Sequence, residues 1–498
     1  MTVAAFPAGP RAAVVALARP ARARLVLLFF FGLLALFLAQ SDRLLGDPDT
    51  YWHIAVGERI WDNATLPRTD ELSHTFAGAP WIAKEWLSQV ILYGAHALAG
   101  WWGVAVLTAV SGAAFLALTF AWLLRRLPPL AVFVIAGFVV ILAAGHIVAR
   151  PHIFSFPLLM LWLAGLTGAV ERNASPPWWL VPLMALWANL HASFPIAFVL
   201  AGFLALEAID RAAAGARVRT AVDWGVLGVA ALLAAGLTPY GYEPALISFH
   251  LFGSGEAFRY ILEWQPLEAD LTGIAAMAAL LATVILLLTS PRQNLFRLAI
   301  ILLCGYLMIR HVRFTSPFGI VAAIVVAAPL ARRMAMPNPA AMRFRPAAAD
   351  LVLTIGVAVL AGISVLLAAL VRPAPSPAMS PAAALAAARE IGVTGPVYND
   401  YNFGGYLISR GVPTFIDGRA DQIFLGGFMT EIYDSAESSD ESRFPALLDR
   451  YGVTWALVRP GEADARRLEA APGWAQAYAD DVAAIYRKRI PNQPGAEE

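Results

Sequence analysis

Residues 46–87 read GDPDTYWHIAVGERIWDNATLPRTDELSHTFAGAPWIAKEWL and mix acids, histidines and aromatics. Asp47, Asp49, Glu58, Asp70, Glu71 and Glu85 are interleaved there with His53 and His74. The segment directly follows a long apolar run, so Asp47 and Asp49 stand close to where that run ends. A carboxylate in that position can take a proton from an incoming hydroxyl or bind a divalent cation. The same acids equally fit a solvated loop whose charges only enforce topology.

Other reactive groups are scattered. HIVARPHIF (146–154) places Arg150 between His146 and His152, and WANLHASFP (187–195) carries Asn189 and His191. IRHVRF (309–314) supplies Arg310, His311 and Arg313, and FRYILEWQP (258–266) supplies Arg259, Glu263 and Trp264. VYNDYNFGGYLISRGVPTFIDGRAD (397–421) brings Asp400, Asp417, Arg419 and Asp421. Structural roles compete at each place. An arginine at the end of a membrane span snorkels or pairs with an acid such as Glu263. Aromatics at an interface belong to a belt, and the DGRAD charges also suit an ion pair closing a turn.

The elements that must position these groups are apolar. The chain has 498 residues, 59% of them hydrophobic and 14% charged, with mean hydropathy +0.64. Soluble domains run at about 45–50% apolar and about 25% charged, so the charges needed to coat solvated shells are missing. This composition is that of a polytopic membrane protein. A net charge of +1, with Lys84 and Lys488 as the only lysines, argues against nucleic-acid binding. A single cysteine, Cys304, excludes a disulfide framework and a cysteine-rich metal site. P-loop and HExxH motifs are absent.

Runs long enough to span a bilayer fall near 24–40, 103–123, 129–148, 153–170, 178–193, 194–210, 221–238, 271–290, 296–312, 314–331 and 350–371, about eleven in all. Segment 86–100 is amphipathic and short, and is read as lying on the membrane or re-entering it. The N-terminal run, preceded by Arg11, Arg19, Arg22 and Arg24, is read as a retained first span with the N-terminus inside. Alternation then gathers Arg125, Arg126, Arg172, Arg211, Arg217, Arg219, Arg292, Arg297, Arg332, Arg333, Arg343 and Arg345 on the cytoplasmic side. That is roughly sixteen basic residues inside against roughly eight outside, as the positive-inside rule expects. The fold class is therefore mainly α, a transmembrane bundle over 1–371 whose first outside loop spans 41–102. A Pro/Ala-rich linker follows at 372–385. Beyond it, PVY (396–398), PTFI (413–416) and TWALVR (454–459) read as strands. Helical patterns at 381–391, 403–410, 443–451 and 462–470 complete a small C-terminal α/β domain, 386–498, on the extracytoplasmic face.

The loop GDPDTYWHIAVGERI resembles the first extracytoplasmic loop of the GT-C superfamily of integral-membrane glycosyltransferases. That superfamily includes the oligosaccharyltransferase catalytic subunits and the protein O-mannosyltransferases. Its recurrent mark is an Asp just after the first span, followed by an amphipathic helix, and Asp47 stands at that position with Asp49 close behind. Segment 397–421 partly resembles the Trp-Trp-Asp-Tyr-Gly region of oligosaccharyltransferases, with Asn399 and Asp400 where Trp-Asp would be. Peptide-acceptor recognition is therefore not carried over. As a whole the chain is most similar to bacterial members, which implies a multi-pass protein of the cytoplasmic (inner) membrane.

The resemblance implies transfer of a sugar from a polyprenyl-phosphate donor to a glycan, lipid or protein acceptor, a hexosyl- or pentosyltransferase reaction. Asp47 would be the general base, with Asp49 and His53 assisting. Arg150, Arg310 and Arg313 would hold the donor phosphate, for which the planar guanidinium is suited. Glu85, His152, His191, Asp400, Asp417 and Arg419 are candidate substrate contacts. Many members carry a second acidic pair in the next outside loop, where this chain offers His146, Arg150 and His152. No cofactor is required by the sequence, and a divalent cation (Mg or Mn) held by Asp47 and Asp49 stays open. The rival reading is a non-catalytic transporter, flippase or assembly component of a polysaccharide system. It is disfavoured because charges crowd the outside surface rather than the span interiors.

Overall fold

The computed structural model describes residues 19–252, 255–290, 294–334 and 347–489. Arg11, Arg292, Arg343 and Arg345 of the charge tally lie outside the described residues, as does the end of the C-terminal segment after 489. Among the described residues, eight helices are long and apolar enough to cross a membrane. Leu180–Leu190, Pro195–Arg211 and Leu295–Arg310 occupy the other expected positions but are only 11, 17 and 16 residues long. The shortening has local causes. His191 adopts an extended backbone that stops one helix, and Pro195 begins the next at a position where its missing N–H costs nothing.

The 39-residue helix Trp86–Leu124 contains a break at Ala99–Gly100. Gly100 has φ +59°, a left-handed conformation that glycine alone takes without strain. The break separates the amphipathic segment expected at 86–100 from the span expected at 103–123. Side-chain contacts sort the helix ends into two groups. At one end Arg126 meets Glu171 at 3.1 Å, and Arg297 meets Glu207 at 2.9 Å. At the other lie the loop 41–85, the turns 146–152, 191–195 and 261–264, and the C-terminal region. The last span, Ala347–Leu370, packs on the first, with Arg24 2.9 Å from Asp350, and leaves Val352, Val365 and Leu370 exposed. Such a face belongs against lipid.

The C-terminal region is α/β. Its sheet has the order β1-β2-β4-β3, with β1 Val397–Asn399, β2 Trp455–Val458, β3 Trp474–Ala479 and β4 Ala484–Lys488. β1 and β2 are parallel; the other pairs are antiparallel. The expected strands 396–398 and 454–459 appear as β1 and β2, and the helices Ala382–Ile391, Gly404–Ser409, Arg443–Arg450 and Ala463–Ala470 match the helical patterns. PTFI does not join the sheet. Thr414 instead accepts from the His74 N–H at 2.9 Å and donates to the Leu72 carbonyl at 3.0 Å, pairing with the first loop. The β3–β4 hairpin and the helix Phe428–Glu437 are additions the apolar patterning did not mark.

One apolar core fills the helix bundle around Phe115, Trp162, Trp187 and Phe318. A second joins Trp52, Leu72 and Trp81 of the first loop to Phe415, Phe424 and Phe428 of the C-terminal region. The two segments thus cover one another's apolar surface, which clamps the C-terminal region over the first loop.

Candidate active site

Asp47 is held by the start of a helix. Pro48, at φ −64°, leads into Asp49–Asn63, and Asp47 Oδ1 accepts from the Asp49 N–H at 2.9 Å. An acid at this place satisfies a free N–H and meets the positive end of the helix dipole. Thr50 donates to the Ala149 carbonyl at 2.9 Å, and Ala149 N–H donates to the Leu44 carbonyl at 2.8 Å. These bonds bring the 146–152 turn against the loop and set Arg150 among three carboxylates. Arg150 Nη2 is 2.9 Å from Asp49 Oδ2, and Nη1 is 3.3 Å from both Asp47 Oδ2 and Glu263 Oε2. Glu263 also takes Arg313 Nη1 at 3.1 Å, and the Arg313 guanidinium lies 4.3 Å from the centre of the Trp264 ring.

The C-terminal region presses on this cluster through glycines. A Cβ at Gly418 would lie 1.7 Å from Asp49 Oδ1, and one at Gly405 would lie 2.2 Å from the Pro48 carbonyl. Only a residue without Cβ permits these approaches.

Burial raises the Asp49 carboxyl to about 7 against the opposing pull of Arg150, with Asp47 adding to the rise. Burial likewise raises Asp47 despite Arg150. Burial works the same way on Glu263, but Arg313 and Arg150 outweigh it and hold that carboxyl well below its usual range. Arg150, which burial would weaken, is held fully cationic by Asp47, Glu263 and Asp49.

Two cavities meet at Arg150, Glu263, Trp264, Gly418 and Asp421. The first, about 270 Å³, carries His53, Glu85, His152, His191 and Arg313 at its polar end. It continues into the bundle between Leu159, Leu200, Cys304 and Val321. The second, about 530 Å³, lies between the 260–264 segment and the C-terminal region, and is lined by Asp47, Asp49, Asp400 and four tyrosines.

In the first cavity, Gln89 Nε2 donates to His53 Nδ1 at 3.3 Å, and His191 Nε2 is 3.2 Å from Glu85 Oε1. Burial holds His53 and His191 well below the usual imidazole range. Burial also raises Glu85 to about 7, although Lys84 opposes it. His152 Nε2 lies 2.7 Å from the His146 carbonyl. Asp400 accepts from the Asn402 N–H at 2.9 Å and from Arg459 Nε at 3.3 Å.

Three sequence candidates fall elsewhere. Arg310 is exposed at the end of its helix and lines neither cavity. Asp417 and Arg419 are fully buried; Arg419 bonds Asp417 through Nε and Nη2, both at 2.8 Å, and Asp70 through Nη1 at 2.5 Å. The ion-pair reading of DGRAD is the one the geometry matches, extended by a residue from the first loop. Glu263, which the sequence offers chiefly as an arginine's counter-ion, lines both cavities, and Tyr401, Tyr433 and Asp464, which the sequence does not mark, line the second. The acid and aromatics packed into 258–266 were a signal for Glu263; the other three carried none.

A divalent cation at Asp47 and Asp49 would take its oxygen ligands from the two carboxylates, from water and from a substrate phosphate. Both acids instead face the Arg150 guanidinium, and no group of three His, Cys, Asp or Glu among the described residues is arranged to hold an ion. In this arrangement the two acids are paired with a guanidinium.

No family model and no curated protein sequence matches the chain. Its structure is similar to the Archaeoglobus fulgidus oligosaccharyltransferase AglB in complex with an inhibitory peptide and a dolichol-phosphate. That match has TM-score 0.54 and 12% identity, covering 87% of this chain and 69% of that one. Weaker likenesses reach the mycobacterial arabinofuranosyltransferase AftD (TM-score 0.49, 14% identity, 97% of this chain and 41% of that one). They also reach ArnT from Cupriavidus metallidurans bound to undecaprenyl phosphate (TM-score 0.45, 12% identity, 94% and 98%). The bundle, the acid-bearing first loop and the α/β region clamped over it thus form a multi-pass membrane protein whose fold is similar to that of the oligosaccharyltransferase AglB.

Proposed function

We propose that the chain transfers a sugar from a polyprenyl-phosphate donor to an acceptor hydroxyl at the extracytoplasmic face of a bacterial cytoplasmic membrane. In this reading the N-terminus is cytoplasmic and the C-terminal region, 386–498, lies outside as a separate covering domain. The observation that carries the proposal is the meeting of two cavities at Arg150, one running into the apolar bundle and the other lined by Asp47 and Asp49. A lipid-linked donor needs the first kind of cavity, with an apolar trough below and cations at its mouth. AglB, whose fold the chain shares, has been captured with a dolichol-phosphate.

The donor phosphate lies between Arg150 and Arg313, whose guanidinium forks match its oxygens. His152, His191 and Glu85 line the space around it. The acceptor enters from the second cavity. Its hydroxyl gives a proton to Asp49, with Asp47 alongside; a carboxylate near pKa 7 is well matched to a base at neutral pH. The hydroxyl oxygen bonds the anomeric carbon as the carbon–phosphate-oxygen bond breaks, and polyprenyl phosphate leaves with its added charge on the arginines. A single displacement inverts the anomeric centre.

The test is mass spectrometry of surface glycans and lipid-linked sugars in a strain lacking the gene, complemented with wild type, Asp47→Asn or Asp49→Asn. Loss of one sugar modification with accumulation of its donor, restored by wild type and by neither variant, is expected. Full restoration by Asp49→Asn removes the base assignment. Unchanged glycans throughout remove the transferase reading and favour transport.

A further inference from the structure

The wall of the second cavity is chemically one-sided. Eight carboxylates line it against a single guanidinium, that of Arg150. Several already have partners: Asp47, Asp49 and Glu263 share Arg150, Asp421 pairs with Lys84, and Asp400 pairs with Arg459. Asp464 and Glu462 have no cationic side chain within ion-pair distance among the described residues. They open the helix Ala463–Ala470. Burial raises the Asp464 carboxyl to about 7, with Asp400 and Glu462 adding to the rise and the Ala465 N–H opposing it. The aromatic part of the wall is equally distinctive. Tyr260 and Tyr433 stack with ring centres 4.7 Å apart and bridge the 260–264 segment to the C-terminal region, while Tyr398 and Tyr401 face the same space.

Such a surface repels phosphate and carboxylate groups and offers many acceptors to hydroxyl groups. Its tyrosine faces suit the C–H faces of a sugar ring, and each carboxylate oxygen takes a hydroxyl hydrogen bond stronger than a neutral one. We infer that the second cavity is an acceptor subsite for an uncharged, hydroxyl-rich glycan and discriminates against anionic acceptors. The inference rests on the transferase reading for what happens next, but binding itself does not depend on it.

The test uses the full-length protein in lipid nanodiscs, carrying Asp49→Asn to block turnover, titrated by calorimetry with three panels. One comprises neutral hexose tetramers of several linkages, the second uronic-acid tetramers, the third glucosamine tetramers. Binding by at least one neutral tetramer, with the uronic-acid panel at least tenfold weaker, is expected. Adding Asp464→Ala weakens the neutral ligand about tenfold to a hundredfold, as loss of a charged hydrogen-bond partner does. Asp464→Asn, which keeps hydrogen-bonding atoms, recovers part of that loss and narrows the gap to the uronic acids. Preferred binding of glucosamine tetramers, abolished by Asp464→Asn, would make the subsite a cation site and overturn the inference. Equal or tighter binding of uronic acids overturns it, as does no binding by any neutral tetramer. Failure of the transferase reading is seen separately, as wild-type protein that binds a neutral tetramer yet alters neither donor nor glycan.

Discussion

Gly418→Ala offers a clean test of how the C-terminal region governs the acid pair. The new methyl carbon would sit 1.7 Å from Asp49 Oδ1 and 2.5 Å from its Cγ. Relaxing the closer contact to about 3.3 Å, a normal carbon–oxygen approach, requires a relative shift of roughly 1.6 Å. Gly418 cannot supply it, because its neighbours Asp417 and Arg419 are locked with Asp70 in a buried ion triad. The Asp49 carboxylate is the free end and must turn away, which breaks its 2.9 Å contact with Arg150. A displacement of about 1 Å at a reacting group costs on the order of 100-fold, or about 2.7 kcal/mol of barrier. Turnover of a polyprenyl-phosphate sugar by purified protein is thus expected to fall about 100-fold, with the melting temperature shifted by only a few degrees. Gly137→Ala, in a helix where the added methyl meets nothing within 4 Å, is the control and should leave turnover unchanged. Turnover within threefold of wild type in Gly418→Ala would refute the idea that Asp49 must hold this position.

Arg150→Ala leaves Asp47, Asp49 and Glu263 without their shared cation; breaking a buried pair costs about 3–5 kcal/mol, so this variant is expected to melt markedly earlier and to lose turnover. Wild-type turnover should persist in EDTA because the guanidinium already occupies the place between the acids, and inhibition reversed by added Mg or Mn would show that reasoning wrong. Turnover should rise with pH through about 7 as Asp49 ionises. Stability should move the other way. Asp49 and Glu85 are raised in the folded state from 3.8 and 4.5 to about 7, so the folded protein holds more protons than the unfolded chain in that window. Stability is then greatest below about pH 4 as far as these two groups are concerned, and falls as pH rises toward 7; thermal melts of wild type, Asp49→Asn and Glu85→Gln across that range check the sign. Arg419→Ala strands Asp417 and Asp70 at a site with no solvent access and is expected to destabilise by about 3–5 kcal/mol, whereas no loss of stability would show that the triad is not what clamps the C-terminal region.

Much of this was legible from local pattern. Apolar runs of span length located the helices, and arginine placement separated the two ends that the contacts Arg126–Glu171 and Arg297–Glu207 also separate. The Asp-Pro-Asp sequence marked both a helix start and the acids it holds. PTFI misled because a short apolar run shows extended backbone but not its partner, which proved to be the first loop. The β3–β4 hairpin escaped because WAQAYA and AIYRK mix small, aromatic and charged residues without clear alternation.

By itself the sequence determined the membrane bundle, the α/β character of the C-terminal region and the acidic first loop, because each follows from composition or periodicity over neighbouring residues. The tertiary structure alone decided which charges meet. Arg150 finds Asp47 across 103 positions and Glu263 across 113, and Arg419 finds Asp70 across 349. Those partnerships moved Asp417 and Arg419 into a buried clamp, left Arg310 exposed, and assembled the tyrosine-and-carboxylate cavity from segments whose own patterns are unremarkable. Hydropathy is a local property, whereas the field at a buried carboxylate is set by whatever the fold packs within a few ångströms of it.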